Sequence, residues 1–309
     1  MFNISNWFKT KEPEVKFLTF PELKDVIPPI DRAEKFYPDW FKKLSRTYDC
    51  PVENMSGHSI DIDLTRKAST VKSCVPFREA IGQGFMLPMW CDLLIKVFYK
   101  FDVFDENKQL IDEQLVYSVD QFNPAKYGEK VISYENRGLA VLFEMDNAFQ
   151  NVGYFCEKGT YQVSGQSVID THDLEQVGKS FSINRFACGN IVFKMNSPWI
   201  IEAPKGWSMK LQPVANDWSH DIIPFSGIVD FDTYYNFLNM PFFWAGNETG
   251  EFLIKRGTPI AQLVFFPRTE ITGKVGLVDP VKYTQIILKI KSVRIDGYKR
   301  FYWNKRREK

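Results

Sequence analysis

Alternation of apolar and polar positions is clearest from Leu93 to Phe101. Leu93, Ile95, Val97, Tyr99 and Phe101 share one face of an extended chain, and Lys96 and Lys100 lie on the other. That pattern predicts a strand buried on one side. Asp105-Glu-Asn-Lys108 predicts a turn to a partner strand near Gln109 to Asp112, with Leu115 to Val119 continuing the sheet. Leu139-Ala-Val-Leu-Phe143 is continuously apolar and predicts a buried strand. After Phe186 short strands are predicted at Asn190–Met195, Pro198–Glu202, Trp207–Leu211, Ile222–Asp230, Phe237–Trp244, Glu251–Lys255 and Ile260–Phe266. Turn residues recur between them about every ten positions, the spacing of a sandwich or barrel.

Helical spacing is confined to short pieces. Ile30 to Tyr37 predicts a helix that Asp31 could cap by accepting from the free N–H groups of its first turn. Pro38 interrupts it, and Asp39 to Leu44 predicts a second short helix with Trp40, Phe41 and Leu44 on one face. Cys50 to Gly84 is expected to be loops with one short element. Thr171 to Val177 has a cap-like start, and Gly153, Gly159 and Gly165 punctuate the stretch before it. Asp279-Pro280 suits a helix start, after which Tyr283, Ile287 and Ile290 share a face. Leu288-Lys-Ile-Lys291 alternates like a strand, so helix and strand both stay open there. The fold class expected is α+β, mainly β, with short helices on the N-terminal side and at the C-terminus. Three consecutive regions are expected: 1–185, with short helices and a hairpin; 186–278, a β core; and 279–309, a helical, basic-aromatic tail.

Composition narrows this only slightly. The 309 residues are 44% hydrophobic and 25% charged, an ordinary globular mix, and can bury a sizeable core. The aromatic share of 16% is high and suits strands and large packed interfaces. Trp7, Phe8, Phe301, Tyr302 and Trp303 cluster near the two ends, where aromatic anchors for a partner are expected. A net charge of +1 gives no global attraction to nucleic acid or to an anionic membrane. The basic-aromatic end is the one place where phosphate contacts and stacking could occur. No apolar run is long enough for a transmembrane helix, and the first residues lack a signal-peptide core, so a cytoplasmic protein is expected.

Five cysteines (Cys50, Cys74, Cys91, Cys156 and Cys188) include no Cys-x-x-Cys pair. An odd number without that spacing argues against a disulfide framework and a structural zinc site. His58, His172 and His220 form no ligand pair, so no metal and no cofactor are expected. Cys74, near Lys72 and Arg78, is either a thiol of lowered pKa or a small buried apolar residue. There is no Gly-x-Gly-x-x-Gly, no phosphate-loop motif and no nucleophile elbow around Ser226.

Three motifs in register carry a resemblance. They are Pro204-Lys-Gly-Trp-Ser-Met-Lys-Leu-Gln-Pro213, Gly227-Ile-Val-Asp-Phe-Asp232, and Arg256-Gly-Thr-Pro-Ile-Ala-Gln-Leu-Val-Phe265. In order and spacing this stretch, Pro204 to Arg268, resembles the core of the dUTPase superfamily, the β-clip enzymes that include dCTP deaminase. The resemblance implies a β-clip or distorted barrel. It puts Asp230 where the family's water-activating carboxylate sits, as general base, with Asp232 and Gln262 as binding residues. Trimers are common in that superfamily. The alternative for Asp230 and Asp232 is a strand-end turn.

The chain departs from the family where triphosphate chemistry would be done. Val214-Ala215 stand in place of the Arg-Ser pair that binds phosphate, and offer only backbone groups to a dense anion. Thr233 and Tyr235 replace the family's Tyr and Gly. The upstream nucleotide motif and the Gly-rich, Arg-containing C-terminal arm are missing.

A second resemblance covers most of the chain. Pro28 to Phe41, Cys74-Val-Pro-Phe-Arg78 and Asn196 to Gly206 are similar to motifs of a bacteriophage and bacterial family with no established activity. Together these imply a non-catalytic binding or structural protein, phage-encoded, that assembles with itself or with other virion proteins. The alternative is a nucleotide-binding or nucleotide-hydrolysing enzyme with Asp230 as base.

Overall fold

The computed structural model describes residues 12–51, 65–130, 133–145, 169–171, 192–293 and 297–303. In chain order the elements are β1 (Lys16–Leu18), β2 (Asp31–Arg32), α1 (Asp39–Lys43), β3 (Thr47–Pro51), β4 (Thr65–Ser69), α2 (Val75–Gly82), β5 (Phe85–Pro88), β6 (Leu93–Phe104), β7 (Leu110–Val116) and β8 (Ser133–Met145). They continue with β9 (Ile169–Thr171), β10 (Phe193–Glu202), β11 (Trp207–Gln212), β12 (Ile222–Pro224), β13 (Gly227–Val229), β14 (Phe237–Trp244), β15 (Gly250–Ile254), β16 (Pro259–Pro267), α3 (Pro280–Lys291) and α4 (Gly297–Phe301). The chain is mainly β, with a few short helices. Two compact units interleave along it. One is Met1–Asp31, Met86–Val214 and Trp218–Arg268; the other is Arg32–Phe85, Ala215–Asp217 and Thr269–Lys309. The consecutive regions expected from the sequence do not coincide with these units.

The first unit holds three antiparallel sheets. In one, β6 is the central strand, flanked by β8 along its length and by β15 and β7 on its other side. Its predicted face is buried at Leu93, Ile95, Val97, Phe101 and Val103. The opposite face is a lattice of ion pairs, Lys96 with Glu144 at 2.7 Å and Lys100 with Glu113 at 2.5 Å. A second sheet runs β1-β10-β14-β12, with β9 also beside β10. The two sheets meet through aromatic edges. Phe143 lies 4.7 Å from Phe193 and 5.9 Å from Phe242, and Trp244 lies 5.5 Å from Phe252, centroid to centroid. Such large rings supply much of the apolar area a sheet interface buries.

The third sheet contains β13-β11-β16-β5 in that order. β11 and β16 are in register from Trp207 opposite Pro267 to Gln212 opposite Gln262. Phe265 on β16 meets Phe17 on β1 edge to face at 6.2 Å, which ties this sheet to the second one.

Several elements differ from expectation. Asn190–Met195 and Pro198–Glu202 are one strand, β10, whose register shifts between Asn196 and Ile200. Pro198 has no N–H to give the ladder, so the irregularity falls where the sequence suggested a break. Ile30 to Tyr37 is not a helix: Asp31 lies in β2 and caps nothing. A single 3-10 turn, Ala33–Lys35, follows Arg32. The N–H of Ala33 is taken by the carbonyl of Gly84 at 3.0 Å, a long-range partner that local sequence does not show. Leu139 to Phe143 lies in β8, but Leu142 is exposed and Phe143 half-buried, so this strand has one wet face. β7 stops at Val116, where the side chain of Gln121 accepts from the N–H groups of Tyr117 and Ser118 and turns the chain into a 3-10 turn.

In the second unit β3 and β4 form a two-stranded ribbon. α1 buries Phe41, which stacks on Phe77 at 6.0 Å and touches Tyr37 and Trp40 at 5.4 and 5.6 Å. α3 begins as expected: Asp279 accepts from the N–H groups of Val281 and Lys282 at 3.0 and 3.1 Å, and Pro280 takes the first turn, where no N–H is needed. Ile286, Ile287 and Ile290 are its half-buried residues, and Tyr283 is exposed. The C-terminal aromatics fold back on this unit. Lys289 stands over the Phe301 ring at 5.0 Å and Arg78 over the Trp303 ring at 5.7 Å. Trp7, Phe8, the stretch with Gly153, Gly159 and Gly165, and nearly all of the expected helical turn after Thr171 lie outside the described residues. Among the described residues no helix is long and apolar enough to cross a membrane.

Candidate functional site

Asp230 and Asp232 come together with two residues that the motif comparison did not single out, Ser208 and Arg268. The turn Pro204-Lys-Gly-Trp207 starts the assembly. Gly206 adopts φ +79°, a left-handed conformation that side chains resist, and the turn closes with Trp207 N–H on the Pro204 carbonyl at 3.0 Å. The chain then runs out along β11, placing Ser208 almost completely buried beside the end of β13. Past β13 the carbonyl of Asp230 accepts from the N–H groups of Thr233 and Tyr234 at 3.1 and 3.0 Å, so the two carboxylates sit on a tight turn. Buried Phe231 between them anchors that turn in the core.

Arg268 follows the last residue of β16 and closes the cluster. Its N–H donates to the Gly206 carbonyl at 2.8 Å. Its guanidinium grips Asp232 in a two-pronged bond, at 2.8 and 2.5 Å. The same guanidinium donates to the Trp207 carbonyl at 3.3 Å and lies 3.1 Å from Asp230 Oδ1. Gly206 N–H donates to Asp232 Oδ2 at 2.8 Å, and the Ser208 hydroxyl donates to Asp230 Oδ1 at 2.6 Å. The Asp232 side chain is 2% exposed and the Asp230 side chain 52%.

The electrostatics follow from these bonds. The Arg268 guanidinium, then the Gly206 N–H, holds the Asp232 carboxyl down at about 2. The Ser208 hydroxyl, and after it Arg268, holds Asp230 below the ordinary carboxylate range. Asp232, with help from Asp230, raises Arg268 still further above its already high value. A general base works best with a pKa near the working pH and a lone pair directed at substrate. Asp230 is held in the ionised form, and one of its oxygens is already committed to Ser208 and Arg268. What the arrangement does chemically is clamp: it joins the start of β11, the turn after β13 and the end of β16.

Gln262 is not part of this cluster. It is fully buried in the middle of β16, opposite Gln212. Phe266, which faces Ser208, is four positions further on, roughly 13 Å along an extended strand. Val214 is buried as well, so its position holds neither a donor side chain nor an open surface. His220 Nε2 hydrogen-bonds the Pro259 carbonyl at 2.9 Å, and His58 and His172 lie outside the described residues. Among the described residues no three His, Cys, Asp or Glu side chains converge as metal ligands. Cys74 is exposed rather than buried. It lies at the start of α2, on the wall of an open cavity of about 410 Å³ together with Thr70, Ser73, Tyr298 and Lys299. Cys91 is the buried thiol.

A signal for Arg268 exists in the sequence. An acidic pair at a strand end and a Pro-x-Gly turn both need cationic or N–H partners, and Arg268 closes the apolar run of β16. Its partner could not be chosen without knowing that β11 lies between β13 and β16. No protein-family model matches this chain, and neither does any curated protein.

Proposed function

We propose that this chain is a non-catalytic binding or structural protein, phage-encoded, which assembles in the host cytoplasm with copies of itself or with other virion proteins. One observation carries the first half: the candidate catalytic carboxylate, Asp230, is bonded to the chain's own Ser208 and Arg268 and held ionised. Nothing in that cluster is set up to take a proton from water near neutral pH. The three motifs that resemble the dUTPase superfamily support a β-clip for the sheet built on β11, β13 and β16, with the scaffold kept and the phosphate donors lost at Val214-Ala215. The virion setting rests on Pro28 to Phe41, Cys74 to Arg78 and Asn196 to Gly206, which resemble phage and bacterial proteins.

The rival is a nucleotide hydrolase with Asp230 as base. It would have to work without the family's phosphate-binding pair, when a single transition-state donor is typically worth about 3 kcal/mol. Purified protein incubated with dUTP or dCTP decides between them. We expect neither hydrolysis nor deamination. Turnover at an ordinary enzyme rate that is lost in Asp230→Asn would overturn the proposal.

A further inference from the structure

Beyond Arg268 the chain runs extended and bare. Residues 269–278 have no regular secondary structure and, among the described residues, no backbone hydrogen bond. Every residue from Pro267 to Gln285 is exposed. Yet Ile271 to Leu277 reads as a strand. Ile271, Val275 and Leu277 fall on one face of an extended chain, with Thr272 and Lys274 on the other. Those three apolar side chains are 91%, 105% and 103% exposed. Soluble chains seldom leave such a face in water, and unpaired extended backbone is a template for strand addition.

We propose that Ile271–Leu277 of one copy adds as a strand to the outer edge of β7 in a second copy of this chain, an inference that rests on the assembly proposed above. Among the described residues β7 pairs only with β6, so its outer edge is open. It is seven residues long, the length of Ile271–Leu277. It carries its own exposed apolar residues, Leu110, Ile111 and Leu115. The charges are complementary, since β7 bears Asp112 and Glu113 and the arm bears Lys274. The arm also leaves from a fixed point. Arg268 is bound through its N–H and its guanidinium to Gly206 and Asp232, so less freedom is lost when the next residues dock.

Light scattering after gel filtration of the full chain at micromolar concentration tests this. Wild type is expected to run as a multiple of one chain. The double variant Val275→Asp/Leu277→Asp is expected to run as a single chain, with unchanged far-ultraviolet circular dichroism and melting midpoint, because both side chains are fully exposed. Ile111→Asp/Leu115→Asp on β7, also at exposed positions, is expected to dissociate in the same way. An oligomer that survives the arm variant overturns the arm exchange and leaves self-assembly standing. Dissociation by the arm variant but not by the β7 variant overturns β7 as the acceptor. A wild type that runs as one chain, or gains mass only when a different protein is added, overturns assembly between copies altogether.

Discussion

Leu263 is the position where truncation should be felt most directly in the sheet that carries Asp230. It is fully buried on β16, paired across the ladder with buried Leu211, and followed one pair later by Val264 opposite Lys210. Leu263→Ala removes three carbons. At about 0.8 kcal/mol for each buried methylene-sized group the transfer loss is about 2.4 kcal/mol. The void left among buried neighbours such as Met209, Ile260 and Ala261 adds to this, since strands held on both sides cannot collapse inward. The sum should fall within the range of about 2–5 kcal/mol seen for such truncations, near its middle. The assay is urea denaturation followed by tryptophan emission. Trp90, Trp199 and Trp244 are buried in the same unit and report its unfolding. The midpoint should drop with the slope unchanged, which marks lost stability rather than an altered unfolded state. Ile228→Ala, on the exposed edge strand β13 of the same sheet, is the control and should stay within about 0.5 kcal/mol of wild type. A Leu263→Ala midpoint equal to wild type would refute the placement of this side chain in the core.

Arg268→Met should destabilise the first unit, because it leaves the nearly inaccessible Asp232 carboxylate without its counterion. The folded pKa of Asp232 lies below its unfolded value of 3.8, at about 2, so the stabilisation is complete above 3.8 and is lost as pH falls towards 2. The gap between wild type and variant in denaturation midpoint should therefore narrow across that window, and a gap independent of pH would show that the bond to Asp232 is not its source. Gly246→Ala should also destabilise, by roughly 1–3 kcal/mol as overpacking usually does. A Cβ there would lie 2.6 Å from Nε1 of the buried Trp244 indole, and an unchanged melting midpoint would mean that the ring can yield.

Much of the β structure was legible because a strand's face is a local property. In β6 the alternation of Leu93, Ile95 and Val97 with Lys96 needs only a core on one side, and the structure supplies one. β14 matches its predicted bounds, Phe237–Trp244, and the Asp279-Pro280 cap works within its own first turn. What the sequence could not decide depended on partners far along the chain. Ala33 gives its N–H to Gly84, and that bond replaces the helix its neighbours favour. Gln262 looked like a polar residue of a motif and is a buried residue in mid-strand, because the alternation of β16 does not say which sheet will cover it. The carboxylates at 230 and 232 were visible as an acidic pair, but Ser208 is 22 positions from Asp230 and Arg268 is 36 from Asp232. Only the order of β13, β11 and β16 brings them within bonding distance and makes the pair a clamp. The apolar alternation of Ile271, Val275 and Leu277 was written in the sequence all along. That it lies uncovered is a fact of the tertiary structure, since no strand of the same chain among the described residues comes to pair with it.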